Sequence, residues 1–185
     1  MINPIKHRGS ALIMGMVLLI VLTLLASVAS NSSVMQEQMT GNFRDMTLAF
    51  EASENAARWG EAWLTSFTTL NASNIPCESA CSMGQPIWLY GNHPDDVAYR
   101  DDNWWNNFGH SYGYDPGTAA DTSMRIPNVD EQPRYLMEQT FFKQENLTEL
   151  PPTAIVYYRV TSRGQGARPN SVSVVETTVV RRITP

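Results

Sequence analysis

The stretch from Ala11 to Ala29 carries no charged side chain, and it starts directly after the basic leader Lys6-His7-Arg8 and the small residues Gly9 and Ser10. No acidic residue occurs before Glu37. As a helix rising ~1.5 Å per residue, the run spans about 28 Å. That matches a bilayer hydrocarbon core of about 30 Å. An ordinary secretory signal places its cleavage site after the apolar core. Here the small residue Gly9 lies before the core, so a cut there leaves the greasy helix on the chain. Positive charge at the leader keeps that end cytoplasmic and sends the remainder across the membrane. The feature constrains the fold to a single N-terminal membrane helix followed by whatever the rest can build.

The rest is sufficient for about one soluble domain, because the whole chain has 185 residues and 43% of them are hydrophobic. Eighteen acidic residues against thirteen Lys and Arg give a net charge of −5. That balance argues against a nucleic-acid surface.

Helical character continues past the apolar run. Met35, Met39, Phe43, Met46, Phe50, Ser53, Ala57, Gly60, Leu64 and Phe67 recur at steps of three or four. This is the stripe of an amphipathic helix. Glu37, Arg44, Glu51, Glu54, Arg58 and Glu61 are assigned to the opposite face. No proline interrupts the chain between Ile5 and Ile75. The pattern predicts one helix from about Ser10 to about Thr68, apolar over 10–30 and amphipathic over 31–68. Gly15 and Gly41 are its soft points, since glycine in a helix costs about 1 kcal/mol relative to alanine. Gly41 either bends the helix or is tolerated in a straight one. The small residues Ser53, Ala57 and Gly60 would let a sheet approach closely.

Residues 69–132 read as an irregular, aromatic-rich connection containing Trp88, Trp104 and Trp105, with Trp104-Trp105-Asn106-Asn107 as a short helical turn. A connection of that length is usually functional or carries short structure of its own. Its two cysteines, Cys77 and Cys81, read as a disulfide in a translocated domain, with two free thiols as the alternative. The loop closed is small, so the stabilisation is about 2 kcal/mol. Asp95, Asp96, Asp101 and Asp102 form the best candidate ligand set for calcium, because clustered oxygen ligands suit that ion. EF-hand spacing is missing, and a solvated acidic loop is the competing reading. No other metal or cofactor is implied. No Walker loop, H-E-x-x-H or G-x-S-x-G pattern occurs, so no catalytic residue is assigned.

The last part, 133–185, is β-rich. Arg134 to Phe142 alternates, Ala154 to Ser162 and Ser171 to Ile183 are rich in β-branched and aromatic residues, and Arg163 to Asn170 is a glycine-rich turn. Three strands joined by turns suggest an antiparallel meander with one face on the amphipathic half of the helix. The expected fold is α+β, a long N-terminal helix packed on a C-terminal antiparallel meander of about three strands.

Two regions carry a family resemblance. One is Arg8-Gly-Ser-Ala-Leu-Ile-Met-Gly-Met-Val through Leu25, followed by Glu37-Gln-Met-Thr-Gly-Asn-Phe-Arg-Asp45 and Leu48-Ala-Phe-Glu-Ala-Ser-Glu54. The other is Pro133-Arg-Tyr-Leu-Met-Glu138, Tyr158-Arg-Val-Thr-Ser-Arg-Gly164 and Asn170-Ser-Val-Ser-Val-Val-Glu176. Together they resemble the type IV pilus minor pilins of the PilX family. The resemblance implies a leader of residues 1–9, cleaved after Gly9 by a prepilin peptidase, and methylation of the new N-terminus at Ser10. It implies residence in the bacterial inner membrane with a periplasmic domain, and then incorporation in a pilus at the cell surface. Its partners would be other minor pilins, the major pilin and a tip adhesin. Most pilins carry glutamate at the fifth mature position, where this chain has Met14. The expectation is a minor pilin that primes assembly at or near the tip, with consequences for adhesion or twitching motility. Two alternatives stand beside it: the tip pseudopilin of a type II secretion system, and a membrane-tethered periplasmic binding protein or adhesin using exposed aromatics of the Trp88 to Tyr114 segment.

Overall fold

A computed structural model describes residues 10–69, 86–91, 97–114, 124–146 and 153–184. Gly9, Cys77, Cys81, Asp95 and Asp96 lie outside the described residues, and with them the candidate cleavage site, the cysteine pair and half of the acidic cluster. The chain divides into two compact units, residues 1–44 and 45–185.

Helix α1 runs Ser10–Ser66. It passes through Gly15 and Gly41 without a break, and both glycines have open space around them. Within the first unit the apolar side chains are uncovered: Leu12, Met14, Leu18, Leu19 and Leu25 are all exposed. The helix is long and apolar enough to cross a membrane, and its most apolar window has no buried share within the chain.

In the second unit the α1 residues 45–66 pack on a five-stranded sheet. The strands are β1 (Trp88–Leu89), β2 (His110–Ser111), β3 (Arg134–Asn146), β4 (Thr153–Gln165) and β5 (Val172–Ile183). The three long strands form the expected antiparallel meander, each running beyond or close to the limits read from the sequence. β1 and β2 both join the free edge of β3, the first parallel and the second antiparallel. A 3-10 turn (Val97–Tyr99) and helix α2 (Asp102–Phe108) complete the elements.

Strand alternation sends neighbouring residues to opposite faces. Tyr135 and Met137 of β3, with Val156, Tyr158 and Val160 of β4, therefore face α1, where they form one core with Ala56, Leu64, Ile87 and Ile183. Leu136 points the other way and joins Trp88, Val97, Trp104 and Trp105 in a second core, flanked by Phe108. Trp88, Val97, Trp104, Trp105 and Phe108 of the aromatic connection thus form a third layer on the far side of the sheet, whereas its Ile87 and Tyr112 lie with α1 in the first core. Its tryptophans have apolar partners and are buried, with Trp105 only 1% exposed.

The buried stripe of α1 differs from the one read from periodicity. Ser53, Ala57, Gly60 and Leu64 are buried as expected, but Met46 and Phe50 are half exposed, and Met35, Met39 and Phe43 are exposed as well. The residues that meet the sheet at the start of the second unit are Asp45, Ala49 and Ala52. Small side chains win there because the sheet backbone comes very close. A Cβ on Gly164 would lie 2.5 Å from the Ala49 carbonyl oxygen and 2.5 Å from the Ser53 nitrogen. Phenylalanine or methionine cannot occupy such a contact. A Cβ on Gly60 would likewise lie 2.9 Å from side-chain atoms of Tyr135 and Val160.

Candidate functional site

For a chain with an uncovered apolar helix, the functional features are the membrane-facing stretch and the devices that fix the helix to its domain. Met14 lies within α1 with its side chain 74% exposed. A carboxylate at such a position would need a partner in hydrocarbon, because an isolated charge there is costly. The thioether needs none. Ser10 is the first residue of α1.

Asp45 opens the second unit and is 7% exposed. Its Oδ1 accepts a hydrogen bond from the Ala167 backbone N–H at 2.5 Å, and its Oδ2 accepts one from the Ser171 hydroxyl. Both donors belong to the glycine-rich β4–β5 turn. The turn is closed on itself by Gly166 N–H donating to the Ser171 carbonyl at 2.8 Å. The Ser171 bond, the backbone bonds from Ala167 and Arg168, and the Arg168 charge hold the Asp45 carboxyl below its usual range, against the opposing effect of burial. An acidic residue on an otherwise small apolar face (45, 49, 52, 56) was the signal available in the sequence. Periodicity reasoning missed it because it followed the large residues instead.

The other end of α1 is fixed from β5. The helix has no basic residue in its last turn, and its terminal carbonyls lack intrahelical donors. Arg181 supplies them, with Nη1 donating to the Thr65 carbonyl at 3.1 Å and Nη2 to the Phe67 carbonyl at 2.6 Å. The Thr184 backbone N–H donates to the Thr68 carbonyl at 2.9 Å. Beneath this end, burial pushes the Tyr158 hydroxyl up to about 12, with the Arg181 charge acting in the opposite direction.

The described half of the acidic cluster has other partners. Asp101 is the N-cap of α2, its carboxylate accepting from the Trp104 N–H at 2.8 Å. Asp102 forms an ion pair with Arg163 of β4. Among the described residues, no three His, Cys, Asp or Glu side chains converge as a metal site. The segment after β2 is tied to α1 by the edge-on contact of Tyr112 with Trp59 at 5.6 Å and by the Tyr114 carbonyl, which accepts from the Trp59 indole at 3.1 Å and also from the Tyr135 hydroxyl of β3 at 2.7 Å.

A concavity lies beside the aromatic layer. It is a cleft of about 700 Å³, bounded by Tyr112, Tyr114, Ile126, Val129 and Arg134 among others.

Comparison with curated proteins and with solved structures finds no match. Two family descriptions do match: PilX N-terminal over residues 8–56, and type IV pilus assembly protein PilX C-term over residues 66–181. Together they span most of the sequence and bracket both the apolar helix and the sheet that grips it, so this chain belongs to the PilX family of type IV pilus assembly proteins and is a minor pilin.

Proposed function

We propose that this minor pilin enters the pilus at or near its tip and primes assembly together with other minor pilins. The observation that carries the reading is Met14. A glutamate at this place would pair with the N-terminal amine of a neighbouring subunit. Methionine cannot, so this subunit lacks that ion pair with a subunit ahead of it. The amine of Ser10 remains able to receive a glutamate from a following major pilin, which suits a subunit at the leading end.

The reading includes cleavage after Gly9 by a prepilin peptidase, methylation of Ser10, and a single inner-membrane pass with a periplasmic domain before incorporation. A disulfide between Cys77 and Cys81 is consistent with that periplasmic placement. The uncovered apolar side chains of α1 support a membrane anchor that later packs within a fibre. The family match favours a pilus over a type II secretion system. The reading as an aromatic-surface adhesin loses its basis at the tryptophans, because Trp88, Trp104 and Trp105 are core residues.

The test is position in the fibre. Gold-labelled antibody on purified pili is expected to mark the ends for the wild type, whereas Met14→Glu moves label into the shaft. Wild-type label distributed along the whole shaft overturns the proposal.

A further inference from the structure

The floor of the cleft beside the aromatic layer holds a half-buried guanidinium, Arg134, whose polar atoms are incompletely paired. Strand register sets Arg134 of β3 directly opposite Arg163 of β4. Like charges opposed across a pair of strands repel. Asp102 answers Arg163 by an ion pair. Arg134 has a weaker partner: its Nη1 donates to the Gly109 carbonyl at 3.2 Å, and its Nε is buried with nothing to receive its hydrogen. Burial pulls the Arg134 pKa down, with only partial compensation from Glu131 and Tyr114. Glu131 supplies the nearby opposite charge, so what Arg134 lacks is an acceptor for its buried Nε hydrogen.

A second observation points into the same place. Gln165 is 3% exposed, and neither its amide oxygen nor its amide nitrogen has a partner. The indole nitrogen of Trp105 is also buried and unpaired. Buried polar groups are nearly always satisfied, so each such atom requires an explanation. Arg134, Gln165 and Trp105 all line a small void of about 10 Å³. A void of that size holds about one water-sized group. It shares Asn106, Glu131, Gln132 and Arg134 with the 700 Å³ cleft above it. The cleft itself falls in the size range of small-ligand sites.

We propose that this cleft binds a carboxylate attached to an apolar body, as at the end or on an acidic side chain of a peptide. Arg134 anchors the carboxylate at the floor, and Tyr112, Ile126 and Val129 pack on the apolar part. The narrow floor admits a planar carboxylate oxygen, and the guanidinium fork suits a carboxylate in geometry as well as charge. Asp130 and Glu131 are exposed, Glu131 also borders the small void, and Arg125 with Arg134 balances their two charges, so the carboxylate is held by hydrogen bonds donated at the floor rather than by a net positive field. The proposal is independent of where the subunit sits in a fibre.

The full chain in detergent micelles is titrated with N-acetyl-phenylalanine, its primary amide, and N-acetyl-aspartyl-phenylalaninamide, following tryptophan fluorescence and backbone amide shifts. Saturable binding by the free acid points to a chain end; saturable binding by the aspartyl peptide points to an acidic side chain. Either supports the site, provided the simple amide binds at least about tenfold more weakly, a difference of about 1.4 kcal/mol. Arg134→Gln is expected to abolish that preference, and Arg134→Lys to restore part of it. The comparison of acid with amide on the wild type does not depend on either variant folding. Equal binding of acid and amide overturns the proposal, as does failure of both carboxylates to saturate.

Discussion

Helix α1 contains two stretches built on opposite rules. Over 11–44 most of its apolar side chains are large (Leu, Ile, Val, Met and Phe), and they are exposed. Over 45–66 its buried positions are mostly small: Ala49, Ala52, Ser53, Ala56, Ala57 and Gly60, with Asp45 at the start and Leu64 as the one large aliphatic among them. The difference shows where the burial energy comes from. In the first stretch the helix brings its own bulk, to be used against lipid or another helix. In the second, the sheet brings the bulk through Tyr135, Tyr158 and Met137, and the helix contributes closeness. Apolar content alone would rank the first stretch as the better core, and it is the second that forms one.

The comparison can be broken most directly at leucine. Leu64→Ala is expected to destabilise the domain by about 2–5 kcal/mol, as for any fully buried leucine. Leu19→Ala should leave the thermal unfolding of the domain unchanged and instead reduce membrane retention in fractionation. An equal loss of melting temperature in both variants would remove the distinction.

Glycine gives the next largest contrast. Gly164→Ala should cost about 1–3 kcal/mol, because the new methyl meets backbone that cannot yield. Gly41→Ala meets nothing and should gain up to about 1 kcal/mol of helix propensity. Chemical denaturation of the two variants checks both signs.

Asp45 sharpens the comparison through pH. Its folded-state pKa lies below the ordinary 3.8, so the stability it contributes is fully present above that value and is lost as pH falls through the depressed value. Asp45→Asn should lower the melting temperature at neutral pH and flatten the acid limb below pH 4. An unchanged acid limb would mean the β4–β5 turn is held by other contacts.

The smallest effect is expected at Tyr158. Its folded pKa of about 12 exceeds the ordinary 10.0, so the neutral hydroxyl is favoured in the fold. The associated stability is complete below pH 10 and declines as pH rises towards 12. Tyr158→Phe should remove that alkaline decline and change neutral stability by less than about 1 kcal/mol, because the hydroxyl has no partner to lose.

Much of this was legible beforehand. The apolar run, the helix through to the mid-sixties and the three long strands each carry a periodic or propensity signal that local chemistry enforces. Trp104-Trp105 within a short helix was also readable, but its burial was not, since clustered tryptophans serve core and surface alike. The β1 and β2 pairings are two residues long each and joined to β3 by register alone, below any sequence signal. The stripe of α1 was half misread because periodicity weighs side-chain size, while the close contact at Gly164 selects against it.

What the sequence determined by itself is the segregation of the chain: a charge-free helix that water rejects, followed by alternating strands that need one covered face. Hydrophobicity and period are local properties, and they suffice for that. Only the tertiary structure decided which α1 residues are core, that Asp45 and Arg181 secure the two ends of the packed helical stretch, and that Arg134 and Arg163 face each other while Asp102 pairs with Arg163. Those outcomes depend on strand register and on the distance between layers, which are fixed by the packing of residues distant in the sequence.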